Sequence, residues 1–169
     1  ELSAPDGVWF VTGNHEYYSG ALQWLDWVRD AGWRPLVNEH AAIERSGDRL
    51  ILGGVTDFRA ERRLPEHRSD PAAAFAGAGQ GARLLLAHQP KSVPQARGLD
   101  VALALCGHTH GGQYVPWNLL VEFFHPYVRG LNRDPDGAWV YVSRGTGYWG
   151  PPIRTGVPAE LTLLTLRAV

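Results

Sequence analysis

The chain has 169 residues, 44% hydrophobic and 20% charged, with 16 Lys plus Arg against 17 Asp plus Glu and a formal charge of −1. Such a length and apolar fraction suit one folded domain and exclude disordered, collagen-like and coiled-coil chains, while the near-zero charge provides no general basic field for a nucleic-acid backbone. No apolar run approaches the ~20 residues that span a bilayer as a helix, no signal peptide is visible, and the single Cys106 excludes an internal disulfide or an all-cysteine zinc site.

The chain starts at Glu1 and contains no Met. Translated chains start with Met, so the expectation is a piece of a longer protein, from which an anchor or leader would be missing.

Val8 to Thr12 is a short apolar run ended by Gly13-Asn14-His15-Glu16, the pattern of a buried strand entering a loop. A helix is predicted next, capped by Ser19, with Ala21, Leu22, Trp24, Leu25, Val28 and Ala31 on its apolar face and Gly32 at its end. Arg34 to Arg45 and Arg49 to Val55 read as strands joined by the turn Ser46-Gly47-Asp48. The Ala/Gly-rich stretch from Thr56 to Gly81 reads as loops with a short helix from Pro71. Arg83 to Ala87 and Val101 to Cys106 are predicted strands linked by a short helix or turn over Ser92 to Arg97. If parallel, they bring His88 and His108 side by side at one sheet edge, where open α/β sheets bind ligands. Beyond Gly112 come an aromatic-rich segment from Tyr114 to Tyr127, a turn at Asp134 to Gly137, and strands over Trp139 to Ser143 and Glu160 to Leu166.

Three sites of one kind stand at the ends of apolar runs: Gly13-Asn14-His15-Glu16, His88, and Gly107-His108-Thr109-His110. Neutral imidazoles and an amide oxygen are good ligands for zinc, manganese, iron or nickel, and loops at a sheet edge can bring them together. Each site alone also fits an ordinary turn or a structural histidine. Their combination in this order points to a metal centre.

In these residues the chain resembles the calcineurin-like metallophosphoesterases, whose centre is built from Asp-x-His, Gly-Asp-x-x-Asp, Gly-Asn-His-Glu/Asp, a lone His, and Gly-His-x-His. The last three motifs are present and the first two, expected before position 13, are absent. The flanks GNHEYYSGA, LLLAHQP, GHTHGGQ and SRGTGYWGPPIR look like a bacterial branch whose members often carry N-terminal membrane segments. The resemblance implies an α/β fold, a two-sheet sandwich flanked by helices, of which residues 1–169 would be the C-terminal part of one domain, lacking its first strand-helix units.

It also implies roles. Asn14, His88 and His108 would bind one divalent ion and His110 the other. His15 would face the leaving group, oriented by Glu16. Two ions, of Mn, Zn, Fe or Ni, would activate water to attack phosphorus in line. Without the bridging Asp, this chain alone would hold at most one ion, weakly, and be inactive. The intact protein would hydrolyse a phosphoester, more readily a diester or lipid-linked phosphate than a protein phosphate.

Other residues have weaker claims. Arg144 and Arg154 flank the Gly/Pro-rich loop and either hold a substrate phosphate or sit in solvent. Asp57 reads as a turn cap, Cys106 as core packing, and His40, His67 and His125 as surface or packing residues. The segment from Tyr114 to Tyr127 either packs as core under a long loop or rests on a membrane surface. Two other functional readings stand beside phosphoester hydrolysis: a non-catalytic module holding one structural ion, and a monozinc hydrolase with Glu16 as base.

Overall fold

The computed structural model describes residues 2–167. A two-residue strand β1 (Trp9–Phe10) pairs in parallel with β2 (Arg34–Pro35), and the chain between them forms helices α1 (Asn14–Ser19) and α2 (Ala21–Asp30). The remaining strands form one mixed sheet in the order β3-β4-β5-β6-β8-β7, comprising β3 (Glu39–Arg45), β4 (Asp48–Gly54), β5 (Ala82–Leu86), β6 (Val101–Cys106), β7 (Gly130–Arg133) and β8 (Trp139–Val142). Its four inner strands β4, β5, β6 and β8 run parallel, and both edge strands pair antiparallel.

The inner strands are continuous apolar runs because both of their faces are covered. Ile51, Leu85, Ala104, Cys106, Val140 and Val142 face a layer containing helix α3 (Pro71–Phe75) and the 3-10 turn Pro90–Ala96. Leu52, Leu84 and Leu103 face the opposite way and pack with Trp9, Val11 and Leu36 from the β1/β2 unit. The expected α/β sandwich is therefore present, with one broad mixed sheet and a small parallel ladder across its face. Cys106 is a core residue, and burial pushes its thiol up to about 12.

Several elements depart from the sequence expectation. Ser19 does not cap α2; its hydroxyl donates to the His15 carbonyl at the end of α1, and Gly20, with φ of 104°, separates the two helices. Only Ala21, Leu25 and Val28 of α2 are buried, because Leu22 and Trp24 lie on the solvent side. The strand predicted over Arg34 to Arg45 is broken at residues 36–38. Asn38 there adopts φ of 54°, and its amide donates to the Arg68 carbonyl and accepts from the Asp70 amide, tying two loops together. The strand predicted over Glu160 to Leu166 does not form in the described residues; the stretch is tied down at its start, where Glu160 N–H donates to the Gly145 carbonyl and the Tyr141 hydroxyl meets Glu160 and Thr162. Leu161 and Leu163 are left more than 90% exposed.

Candidate metal centre

The parallel β5–β6 ladder continues one step past both strands: Ala87 N–H donates to the Leu105 carbonyl and Gly107 N–H to the His88 carbonyl. These bonds hold His88 and His108 beside each other at the C-terminal edge of the sheet. Asn14 arrives from β1 as the first residue of α1. Gly13 is needed there, since a Cβ at this position would lie 2.9 Å from the His88 ring. Glu16 accepts from the Gly13 amide at 2.6 Å and closes the first turn of α1. Its carboxylate thus has a backbone role at the start of α1.

Three donor atoms meet. His88 Nε2 stands 3.0 Å from Asn14 Oδ1 and 3.0 Å from His108 Nδ1, and His108 Nδ1 stands 3.1 Å from Asn14 Oδ1. Burial, reinforced by neighbouring histidines, pushes His88 down to about 4 and His108 to about 3, so both rings are neutral near pH 7. Three such atoms at these separations are held together by a proton between them, as in the N–H of one neutral imidazole, or by a cation. For metal–ligand bonds of about 2.1 Å, adjacent ligands of an octahedral ion lie about 3.0 Å apart and those of a tetrahedral ion about 3.4 Å apart. The triangle fits three neighbouring positions of an octahedral ion. It is a mixed amide and imidazole set: among the described residues no group of three His, Cys, Asp or Glu side chains is placed to hold a metal.

His110 is not part of this triangle. The Arg154 guanidinium donates to His110 Nδ1 at 3.1 Å, so a neutral His110 carries its proton on Nε2 and offers no free lone pair. Arg154 also donates to the carbonyls of Arg144 and Gly147, which makes it a clamp within the loop. Arg144 stands 3.5 Å from Glu160. His15 is exposed, with its ring edge-on to Tyr18 at 5.6 Å.

Asp57 caps a turn as expected, accepting from the Arg59 amide at 3.0 Å, and also accepts from Gln89; burial raises its carboxyl. His40 meets the Ala74 carbonyl, and His67 is buried against the Tyr17 hydroxyl at 2.8 Å. His125 is different. Its ring lies 5.3 Å from that of His108, and its Nδ1 is buried without a partner in the described structure. Nothing in the spacing of the chain signals that proximity, because His125 arrives from a loop. Gln113 is also missed: fully buried, it donates to the Trp149 carbonyl at 2.8 Å and accepts from the Trp149 amide at 2.8 Å, pinning the Gly/Pro-rich loop to the Gly-His-Thr-His turn. The glycines before it are the only local hint.

The aromatic segment is mostly at the surface. Val121 is buried, but Leu119 is 67% and Phe123 82% exposed, so core packing does not account for these side chains. Trp117 is stacked on Phe124 with ring centroids 5.5 Å apart.

No family model matches the chain. It is 38% identical over 169 residues to "Transmembrane protein with metallophosphoesterase domain" of Danio rerio, covering 95% of this chain and 39% of that protein. With the protein of the same name from Bos taurus it shares 40% identity over 180 residues, covering 99% of this chain and 40% of that protein. The chain thus spans about two fifths of the length of these relatives. No helix among the described residues is long and apolar enough to cross a membrane. In fold, the 5'-nucleotidase precursor from Thermus thermophilus superposes with a TM-score of 0.53 at 17% identity, over 82% of this chain and 33% of that one. The motif order, the placement of the motifs at strand ends and the sequence similarity over nearly the whole chain agree in likening this chain to the metallophosphoesterases.

Proposed function

We propose that the protein hydrolyses phosphoesters with the help of divalent ions, one of them held by Asn14 Oδ1, His88 Nε2 and His108 Nδ1. The single observation that carries this reading is the convergence of those three atoms at 3.0–3.1 Å. A divalent ion bound there supplies Lewis-acid charge to a phosphoryl oxygen and lowers the pKa of water. The chain's own residues do the positioning. Neutral His88 and His108 keep their lone pairs directed inward, Asn14 adds an uncharged oxygen, and exposed His15 is free to donate a hydrogen bond or proton toward a leaving oxygen. A second ion would draw only His110 from this chain, and only once its Nδ1 contact with Arg154 is released.

The substrate we favour is a phosphodiester or lipid-linked phosphate. Support comes from the exposed Leu119, Leu120, Phe123 and Phe124, four large apolar side chains close together in the chain and suited to a membrane surface.

Metal content and turnover test the reading. Loaded with Mn or Zn, this chain is expected to retain one ion, to lose it in Asn14→Ala, His88→Ala and His108→Ala, and to hydrolyse a chromogenic phosphodiester at background rate. Robust turnover by the chain alone would overturn the last point. In the longer protein His15→Ala is expected to lower kcat, whereas metal binding with no hydrolysis of any phosphoester would favour a non-catalytic module.

A further inference from the structure

A cavity of about 350 Å³ adjoins the metal triangle at Asn14 and is lined by the Tyr17 and Tyr18 side of α1 together with Asp57, Arg59, Arg62 and Arg63. The local sequence explains the charge. Ala60 is fully buried in a cluster with Tyr17 and Ala21, which anchors the 3-10 turn Ala60–Arg62 and leaves Arg59, Arg62 and Arg63 exposed around that anchor. Among the described residues none of these three guanidinium groups donates a hydrogen bond or lies within 4.0 Å of a carboxylate, although Arg45, Arg97 and Arg144 each reach one. Asp57 is the single carboxylate among the described residues lining the pocket, against three guanidinium groups, and its oxygens accept from the Arg59 amide and the Gln89 side chain.

The pocket touches both parts of the site. Asn14 belongs to its wall and to the metal triangle. The Arg63 guanidinium lies over the Tyr18 ring at 6.0 Å, and the same ring meets His15 at 5.6 Å. Three unpaired cations around a cavity of ligand size, adjoining a phosphoester site, form an anion-binding arrangement, because guanidinium groups match phosphate oxygens in bidentate geometry.

We propose that this pocket binds a second anionic group, of the phosphate class, carried on the leaving-group side of the substrate. The preferred substrate is then a phosphoester with at least two phosphate-type groups rather than an isolated monoanion. This proposal rests on the reading of Asn14 and His15 as parts of the reacting site.

Binding of two non-hydrolysable probes to the metal-loaded protein separates the possibilities. Methylenebisphosphonate is expected to bind at least about 10-fold more tightly than methylphosphonate, the size of one charge-assisted contact. In the triple variant Arg59→Ala, Arg62→Ala, Arg63→Ala that ratio is expected to fall below about threefold with metal content retained, and Arg→Lys replacements are expected to keep part of it. Arg29→Ala, on the far surface of α2, controls for general charge. An unchanged ratio in the triple variant overturns the proposal. So does arginine-dependent binding of two separate methylphosphonates per chain, which would mean a free anion and not a tethered one. If the arginine-dependent ratio is found but the longer protein hydrolyses no phosphoester, the phosphoesterase reading fails and the pocket stands. If hydrolysis occurs without the ratio, the pocket fails alone.

Discussion

His88 Nε2 and His108 Nδ1 lie 3.0 Å apart although twenty residues separate them, and a backbone bond from Gly107 N–H to the His88 carbonyl keeps them there. The two rings present different nitrogens. His108 turns Nδ1 inward, and its backbone at the strand end is in the left-handed region, at φ of 69°. The pair thus combines sheet pairing with one unusual backbone conformation.

Gly13 sets the approach of α1 to this pair. Gly13→Ala is expected to displace the His88 ring or the α1 terminus, because the added Cβ would sit 2.9 Å from ring carbons. Metal affinity should fall by about 10–100-fold, the range seen when the support of a metal ligand is disturbed. Gly107→Ala, whose Cβ would meet nothing within 4 Å, is the matched control and should stay near wild type. Isothermal titration with Mn or Zn reads both.

Stability of the metal-free chain should fall in acid. Unfolded histidines titrate near 6.5, whereas in the folded chain burial and neighbouring imidazoles hold His88 at about 4 and His108 at about 3. Between those values the unfolded state binds more protons, so this contribution is complete above about pH 6.5 and is lost as pH drops toward 4 and 3. A lower window follows from Asp134, which Arg97 and Tyr127 hold at about 2. Its contribution is present above the ordinary carboxylate value of 3.8 and is lost on the way down to about 2. Urea midpoints measured from pH 7.5 to 4.5 should slope downward with acid, and His88→Gln with His108→Gln should flatten the slope. A pH-independent midpoint would contradict the buried neutral pair.

Gln113→Ala should destabilise the Gly/Pro-rich loop. The substitution leaves the Trp149 amide without its acceptor and empties a fully buried site, for an expected cost of about 2–4 kcal/mol. Chemical unfolding should report the loss, and limited proteolysis should show early cutting within residues 145–156.

The aromatic segment divides by exposure. Phe123→Asp and Leu119→Asp should leave the unfolding midpoint unchanged and reduce co-sedimentation with anionic liposomes. Trp117→Ser should instead lower the midpoint, because Trp117 stacks on Phe124 and meets Trp149 edge-on. Liposome binding that survives both Asp substitutions would remove the membrane role.

Local sequence was enough for the elements with local causes. β6 matches its apolar run from Val101 to Cys106, and the β3–β4 hairpin turns at Ser46-Gly47, both in positive φ. The meeting of His88 with His108 was also legible, since parallel neighbouring strands joined by a short connection end on one edge, whereas Asn14 was grouped with them through the family resemblance. What only the tertiary structure decided are relations between segments far apart in the chain. The placing of His125 against His108, the occupation of His110 Nδ1 by Arg154, the pinning role of Gln113 and the arginine pocket beside Asn14 each join loops whose conformations are set by packing. Periodicity and turn chemistry act over a few residues and determine which way a side chain leaves its own strand. Which loop it then meets depends on the burial of surfaces contributed by the whole chain, and in this protein that is where the chemistry is assembled.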